Sequence, residues 1–208
     1  MHTIKTFNTR DTWIQATLPH IQGDYIALSG GSTPKPIYHA MTQLPQTELI
    51  HFYQVDERYV PKTDNQSNQR MIRETLHPNH FHTIDTSLPI EKACMKYEAE
   101  LPKQFDLVIL GIGTDGHTAS LFPQSEALGE ANKQVTHTVK PNTDEKRITL
   151  AFPPIMNSKT IIILLQGQEK KKIIDELFHA NKLISELPAK KLLDHQNLYI
   201  HYLETEKE

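Results

Sequence analysis

The run Phe105-Asp-Leu-Val-Ile-Leu-Gly-Ile-Gly-Thr-Asp-Gly-His-Thr-Ala-Ser-Leu-Phe-Pro123 decides the fold class. Residues Leu107 to Leu110 are all apolar, the pattern of a strand buried on both faces of a sheet that helices cover. A glycine-rich loop carrying Asp115 and His117 follows at once. A strand that empties into such a loop puts it at the carboxyl end of a sheet, where open α/β sheets hold their ligands.

Outward from this run, further strands are predicted at 25–29, 49–55, 135–139, 147–152, 160–165 and 197–203. Helices are predicted at 11–18, 35–44, 66–76, 91–101, 169–180 and 187–193. Pro34 and Pro36 suit the first turn of the second helix. Ile173, Ile174, Leu177 and Phe178 fall at helical spacing in the fifth. The alternation predicts one α/β domain over residues 1–208, a three-layer α/β/α arrangement around a mostly parallel, Rossmann-like sheet. No repeat or linker divides the chain.

Composition narrows the function classes. A chain of 208 residues, 38% of them hydrophobic, fills one substantial domain. The net charge of -3 argues against a nucleic-acid partner, which calls for a clustered basic face. Cys94 is the single cysteine, so no intrachain disulfide or CxxC zinc site forms, and a reducing compartment is expected. The first ten residues lack the apolar core of a signal peptide. The longest strongly apolar run, 161–165, falls far short of the roughly 20 residues that span a membrane. The expectation is a cytoplasmic protein with no membrane partner. The last five residues, 204–208, read as a disordered tail.

Four segments, each after a predicted strand, carry candidate chemistry. In Ser29-Gly-Gly-Ser-Thr-Pro34, Gly30 and Gly31 let the backbone approach a ligand, the helix start offers free N–H groups, and Ser32 and Thr33 add hydroxyls. That is a phosphate cradle or a plain strand-to-helix turn. It is not a Walker A loop, since no Gly-Lys-Ser/Thr follows. In Asp56-Glu-Arg58, the arginine suits an anionic substrate or a developing oxyanion, or else pairs with a neighbouring acid at a solvated strand end. The loop 111–123 contains a GxGxxG, but no acid ends the next predicted strand where a dinucleotide ribose would need one. It carries instead a candidate general base, His117, beside a carboxylate, Asp115, able to orient its ring; a structural histidine is the plainer reading. Lys170, after the Gly167 turn, points at a phosphate or is an ordinary exposed lysine. His77, His80 and His82 resemble metal-ligand spacing, but no cysteine or paired carboxylate completes a set, so they read as surface residues. No GxSxG elbow marks a serine hydrolase.

These segments together resemble the 6-phosphogluconolactonases, a branch of the group that includes glucosamine-6-phosphate deaminase/isomerase. The resemblance rests on 29–34, Asp56-Glu-Arg58 with Ser67-Asn68, the long run 111–123, Arg147-Ile-Thr-Leu150, Gly167 to Lys170, and Leu187-Pro-Ala189, in family order. The deaminase branch has Asp-Glu-Tyr where this chain has Asp56-Glu-Arg58. It also has Gly-His-Ile-Ala-Phe-Asn-Glu-Pro where this chain has Gly116-His-Thr-Ala-Ser-Leu-Phe-Pro123. Two departures from the lactonase pattern stand out: Gln124 where Gly is usual, and Glu204 where the last strand is often closed by Asp.

The resemblance implies hydrolysis of 6-phospho-D-glucono-1,5-lactone to 6-phospho-D-gluconate, in the oxidative pentose phosphate pathway. Gly30, Gly31, Ser32, Thr33 and Lys170 would hold the phosphate, with Arg147 a further contact. His117 would activate water, Asp115 would hold its ring, Arg58 would face the oxyanion, and Asp56 and Asn68 would organise the site. A lactone is an activated ester, so neither metal nor cofactor is expected. The alternatives are a glucosamine-6-phosphate deaminase/isomerase-like enzyme and a non-catalytic sugar-phosphate-binding protein. A monomer or small homo-oligomer is expected.

Overall fold

In the apolar runs, odd and even residues feed two different cores, as strands covered on both faces require. The computed structural model describes residues 3–204. The rest of the 204–208 tail lies outside the described residues. At the centre stand β2 (Tyr25–Leu28), β6 (Leu107–Leu110) and β9 (Thr160–Gln166). Ile26, Leu28, Leu107, Ile109 and Ile162 join one core with Trp13, Ile37 and Ile72. Ala27, Val108, Leu110, Ile161 and Ile163 join the other with Tyr97, Ile173 and Leu177.

The helices divide accordingly. The first core takes α1 (Arg10–Thr17), α2 (Lys35–Met41) and α3 (Asn68–Leu76). The second takes α4 (Ile90–Glu100), α5 (Phe152–Met156) and α6 (Lys170–His179). With β3 (His51–Gln54), β5 (His80–His82), β10 (Leu198–Leu203) and β1 (Thr3–Phe7), the sheet has seven strands in the order β1-β10-β9-β6-β2-β3-β5. Every neighbouring pair is parallel. The predicted three-layer α/β/α class is the observed one.

Several features depart from the sequence reading. The predicted strands at 135–139 and 147–152 do not join the main sheet. They form β7 (Val135–Val139) and β8 (Lys146–Leu150), an antiparallel pair that β4 (Asp56–Arg58) extends into a separate three-stranded sheet. In β7, exposed His137 and Val139 share one face and buried Thr138 takes the other, so the first face meets water along most of its length, which an antiparallel sheet tolerates. The second departure is that β1, β4 and β5 were not predicted as strands. Each is short and rich in polar residues, as sheet edges are, and neighbouring strands supply the pairing that composition does not suggest. The last predicted helix is instead a 3-10 segment over Pro188–Asp194.

From β2 the chain builds outward through β3 and β5, then returns to β6 on the other side and continues through β9 to β10. The switch point lies between β2 and β6. Ser29 N still donates to Ile109 O at 3.1 Å, and beyond this bond the two loops diverge and open a crevice. Tyr38 Oη donates to Ser29 O at 2.8 Å and fixes α2 against that strand end.

Gln124 explains its own oddity in the sequence. Its φ is 60°, the left-handed region that favours glycine. Such a conformation costs an L-residue roughly 1–2 kcal/mol. Gln124→Gly should recover part of this, about 0.5–1 kcal/mol after the added freedom of the unfolded chain. Thermal unfolding should show Tm higher by about 1–3 °C; an unchanged or lower Tm contradicts this account.

Candidate active site

The loop after β6 is shaped around one histidine. Gly113 N donates to His117 O at 2.8 Å, and Gly116, at φ 87°, makes the turn. His117 Nδ1 lies 2.5 Å from Asp115 Oδ1, which also accepts from His117 N at 3.2 Å. Burial pushes the Asp115 carboxyl up, but the hydrogen bond and charge of His117 outweigh it, and the net direction is down. An ionised carboxylate only accepts, so in the neutral ring Nδ1 carries the proton and Nε2 presents its lone pair. Among the described residues Nε2 has no hydrogen-bond partner, and the side chain is 31% exposed.

Here the GxGxxG run receives a different explanation from a dinucleotide turn. A Cβ on Gly113 would lie 2.2 Å from His117 Nδ1 and 2.5 Å from Asp115 Oδ1. One on Gly116 would lie 2.3 Å from Leu187 Cδ1. These glycines make room for the His–Asp pair and its backing.

The loop then reverses through Ala119, at φ 53°, and delivers Ser120 to the opposite wall. Buried Ser120 Oγ donates to Asp56 Oδ2 at 2.6 Å. The other Asp56 oxygen accepts from Asn68 Nδ2 at 3.2 Å, and the same amide donates to Asp56 O at 3.0 Å. Asp56 and Asn68 are therefore fixed, at 6% and 2% exposure. Between them lies a residue that the sequence reading left without a role. Buried Glu57 accepts from Gln54 Nε2, Arg58 N, Ser67 Oγ, Asn68 N and Gln69 N. Burial raises its pKa against the pull of those hydrogen bonds. The signal was available: in a strand, Asp56 and Arg58 share one face and Glu57 takes the other.

Arg58 stands directly opposite Arg147 in the β4–β8 pair. Like charges so placed cost up to about 1 kcal/mol, a cost that an anion held between them reverses. Arg147 Nη2 reaches Glu145 Oε1 at 2.7 Å, Arg58 Nη1 donates to Gln66 O, and neither Nε has a partner among the described residues. Lys170 Nζ donates to Ile112 O at 2.8 Å; burial lowers its pKa, against Glu169 and Asp115.

Gly30, Gly31, Asp56, Arg58 and Asn68 meet His117, Arg147 and Lys170 around one cleft of about 350 Å³ at the switch point. Lys140, which sequence reasoning did not single out, also lines it; a lysine in a hairpin carries no motif. Four cations thus face one carboxylate, Asp56, in a chain of net charge -3. Asp115 stands behind His117 rather than on the cleft wall. The two glycines after β2 have separate reasons. A Cβ on Gly30 would lie 1.8 Å from Asn68 Oδ1, whereas Gly31, at φ 90°, has open space above it. Among the described residues the N–H groups of 30–33 make no hydrogen bond. Ser32 lines an adjoining cleft with Arg58 and Arg70, and Thr33 lines neither cleft. A larger groove of about 780 Å³ between Tyr59 and Glu100 lacks any comparable convergence on a histidine–carboxylate pair.

A family model described as glucosamine-6-phosphate isomerases/6-phosphogluconolactonase matches residues 12–200. A 6-phosphogluconolactonase of Thermotoga maritima is 42% identical over 165 residues, 74% of this chain and 74% of that protein. Another, of a Synechocystis species, is 35% identical over 187 residues, covering 79% of this chain and 75% of that protein. The solved Thermotoga maritima 6-phosphogluconolactonase matches with a TM-score of 0.81 at 32% identity, over 99% of this chain and 100% of that one. That of Trypanosoma brucei matches with a TM-score of 0.84 at 28% identity, over 99% and 96%.

The space Gly113 leaves is testable. Gly113→Ala should displace the His117–Asp115 pair while the fold holds. A shift of about 1 Å is worth on the order of 10²-fold in rate, so kcat for the reaction proposed below should fall by that order. Circular dichroism and Tm report the fold alongside the kinetics, and an unchanged kcat would show that the pair tolerates displacement.

Proposed function

The chain belongs to the family of glucosamine-6-phosphate isomerases and 6-phosphogluconolactonases, and we propose that it is a lactonase, hydrolysing 6-phospho-D-glucono-1,5-lactone to 6-phospho-D-gluconate in the pentose phosphate pathway. One observation carries the choice of branch: the surroundings of His117. Where the deaminase pattern puts Asn-Glu, this chain has Leu121 and Phe122, buried at 0% and 3% exposure. The Phe122 ring packs on the His117 ring, centroids 4.8 Å apart. An apolar wall on one side and Asp115 on the other suit a base that takes a proton from water.

In this reading the lactone's phosphate lies among the cations and the free N–H groups of 30–33, with Lys170 and Arg147 as its charged contacts. That anchor sets C1 near His117. Nε2 takes a proton as the water oxygen bonds to C1, and the carbonyl electrons move onto the oxygen. Arg58 faces that oxyanion, while Asp56 and Asn68 orient the sugar hydroxyls. The oxyanion then collapses, the bond from C1 to the ring oxygen breaks, and His117 returns the proton to that oxygen. General-base catalysis supplies about 10²–10⁴-fold and one oxyanion donor about 10²–10³-fold. No covalent intermediate is needed.

We place the reaction in the cytoplasm, in a monomer or small homo-oligomer acting without nucleic acid or membrane. The buried, unpaired Cys94 agrees with a reducing compartment. Among the described residues no helix is long and apolar enough to cross a membrane.

The decisive assay uses freshly made lactone with the spontaneous rate subtracted; activity at background would overturn the proposal, as would release of ammonia from glucosamine 6-phosphate. His117→Ala should lower kcat by about 10²–10⁴-fold and still bind 6-phosphogluconate. Near-normal turnover would remove the histidine from its role. Lys170→Ala should raise KM by roughly tenfold with kcat little changed, as expected of uniform binding; the opposite split argues against a phosphate anchor.

A further inference from the structure

The histidines near residue 80 lack a completing ligand in their own segment, but the fold brings one from elsewhere. His51 and His82 sit on the adjacent parallel strands β3 and β5, where His51 pairs with His80 and Tyr53 with His82. His51 Nδ1 and His82 Nε2 share a hydrogen bond at 3.1 Å, whose proton a metal would have to displace. Two ring nitrogens each about 2.0–2.1 Å from one metal, at cis or tetrahedral angles, lie about 2.8–3.4 Å apart.

Both rings are held in place. Tyr53 stacks on His82 at 4.3 Å and 5°, and His80 stacks on His51 at 4.6 Å and 11°. The far nitrogen of His82, Nδ1, faces Glu100 Oε2 at 3.8 Å. A carboxylate there favours the proton on Nδ1 and leaves the Nε2 lone pair turned to His51, the outer arrangement that metal-binding histidines use. His82 and Glu100 line the open groove of about 780 Å³, which gives a cation access. Among the described residues no three metal-ligating side chains converge. This is a two-ligand site, which water must complete.

We propose that His51 Nδ1 and His82 Nε2 bind a late first-row divalent metal of the Zn²⁺ class, with Glu100 as the outer carboxylate. Both ligands are imidazoles, which suit Zn²⁺, Ni²⁺ and Cu²⁺ and not the oxygen-seeking Mg²⁺. The metal would staple the short edge strand β5 to β3. The site is separate from the catalytic cleft, whose lining includes neither histidine.

The test titrates Zn²⁺ alone into the full-length protein against a competing chromophoric chelator, with Mg²⁺ as control. A single Zn²⁺ should bind in the micromolar range and resist Mg²⁺. His51→Gln and His82→Gln, tested separately, should each weaken binding by at least about tenfold, and Glu100→Gln by about tenfold. The chain has 12 histidines, so the variants decide the location. His117→Ala should keep its affinity within about threefold, the spread expected of a distant site. Melting curves of the metal-free variants confirm their folding. The proposal fails if no saturable binding appears below about a millimolar. It also fails if both glutamine variants bind normally, or if His117→Ala abolishes binding and so puts the metal in the cleft.

Discussion

The buried carboxylate of Glu57 holds the site wall together. Its five hydrogen bonds come from the end of β3, from β4 and from the first turn of α3. Desolvating a carboxylate costs several kcal/mol, and a hydrogen bond to a charged group returns about 1.5–3. Five such bonds recover much of that cost, though burial still leaves the carboxyl's pKa raised. What they secure is geometry: with Glu57 turned inward and held, the alternation of the strand turns Asp56 and Arg58 toward the cleft, and α3 starts where Asn68 reaches Asp56.

The second wall depends on small volumes rather than charge. Gly113 and Gly116 leave the space that the His117–Asp115 pair and Leu187 occupy. Ser120 then joins the walls, because the loop that carries His117 also supplies the hydroxyl that fixes Asp56. The histidine and the cationic face are thus tied together by one loop, which carries His117 on one wall and bonds Asp56 through Ser120 on the other, and the cleft between them is open at the switch point. A glycine pattern suggestive of dinucleotide binding makes room for a histidine–carboxylate pair instead.

Much of this was legible in the residues. The runs 25–29, 105–111 and 160–165 announced buried parallel strands because each lacks polar alternation, and a central strand has no other way to be covered on both faces. The site loops were legible for a related reason: glycines, a histidine and charges directly after such strands have few structural uses. The small sheet was harder. β4 is Asp-Glu-Arg, which no propensity marks as strand, and its partner β8 lies about ninety residues away. The resemblance to lactonases supplied Arg147 and Asn68, which spacing alone would not have nominated.

The sequence by itself determined the class of fold, the candidate residues of the His117 loop and the lactonase branch, because those depend on local pattern and on residue identity at marked positions. Only the tertiary structure decided which side chains meet. That Arg58 faces Arg147, that Ser120 reaches Asp56, that Gly30 yields to Asn68 and that His51 meets His82 all follow from strand register and helix placement. Those are set by the packing of whole layers, where each contact joins residues far apart in the chain, and no local pattern encodes such a pairing.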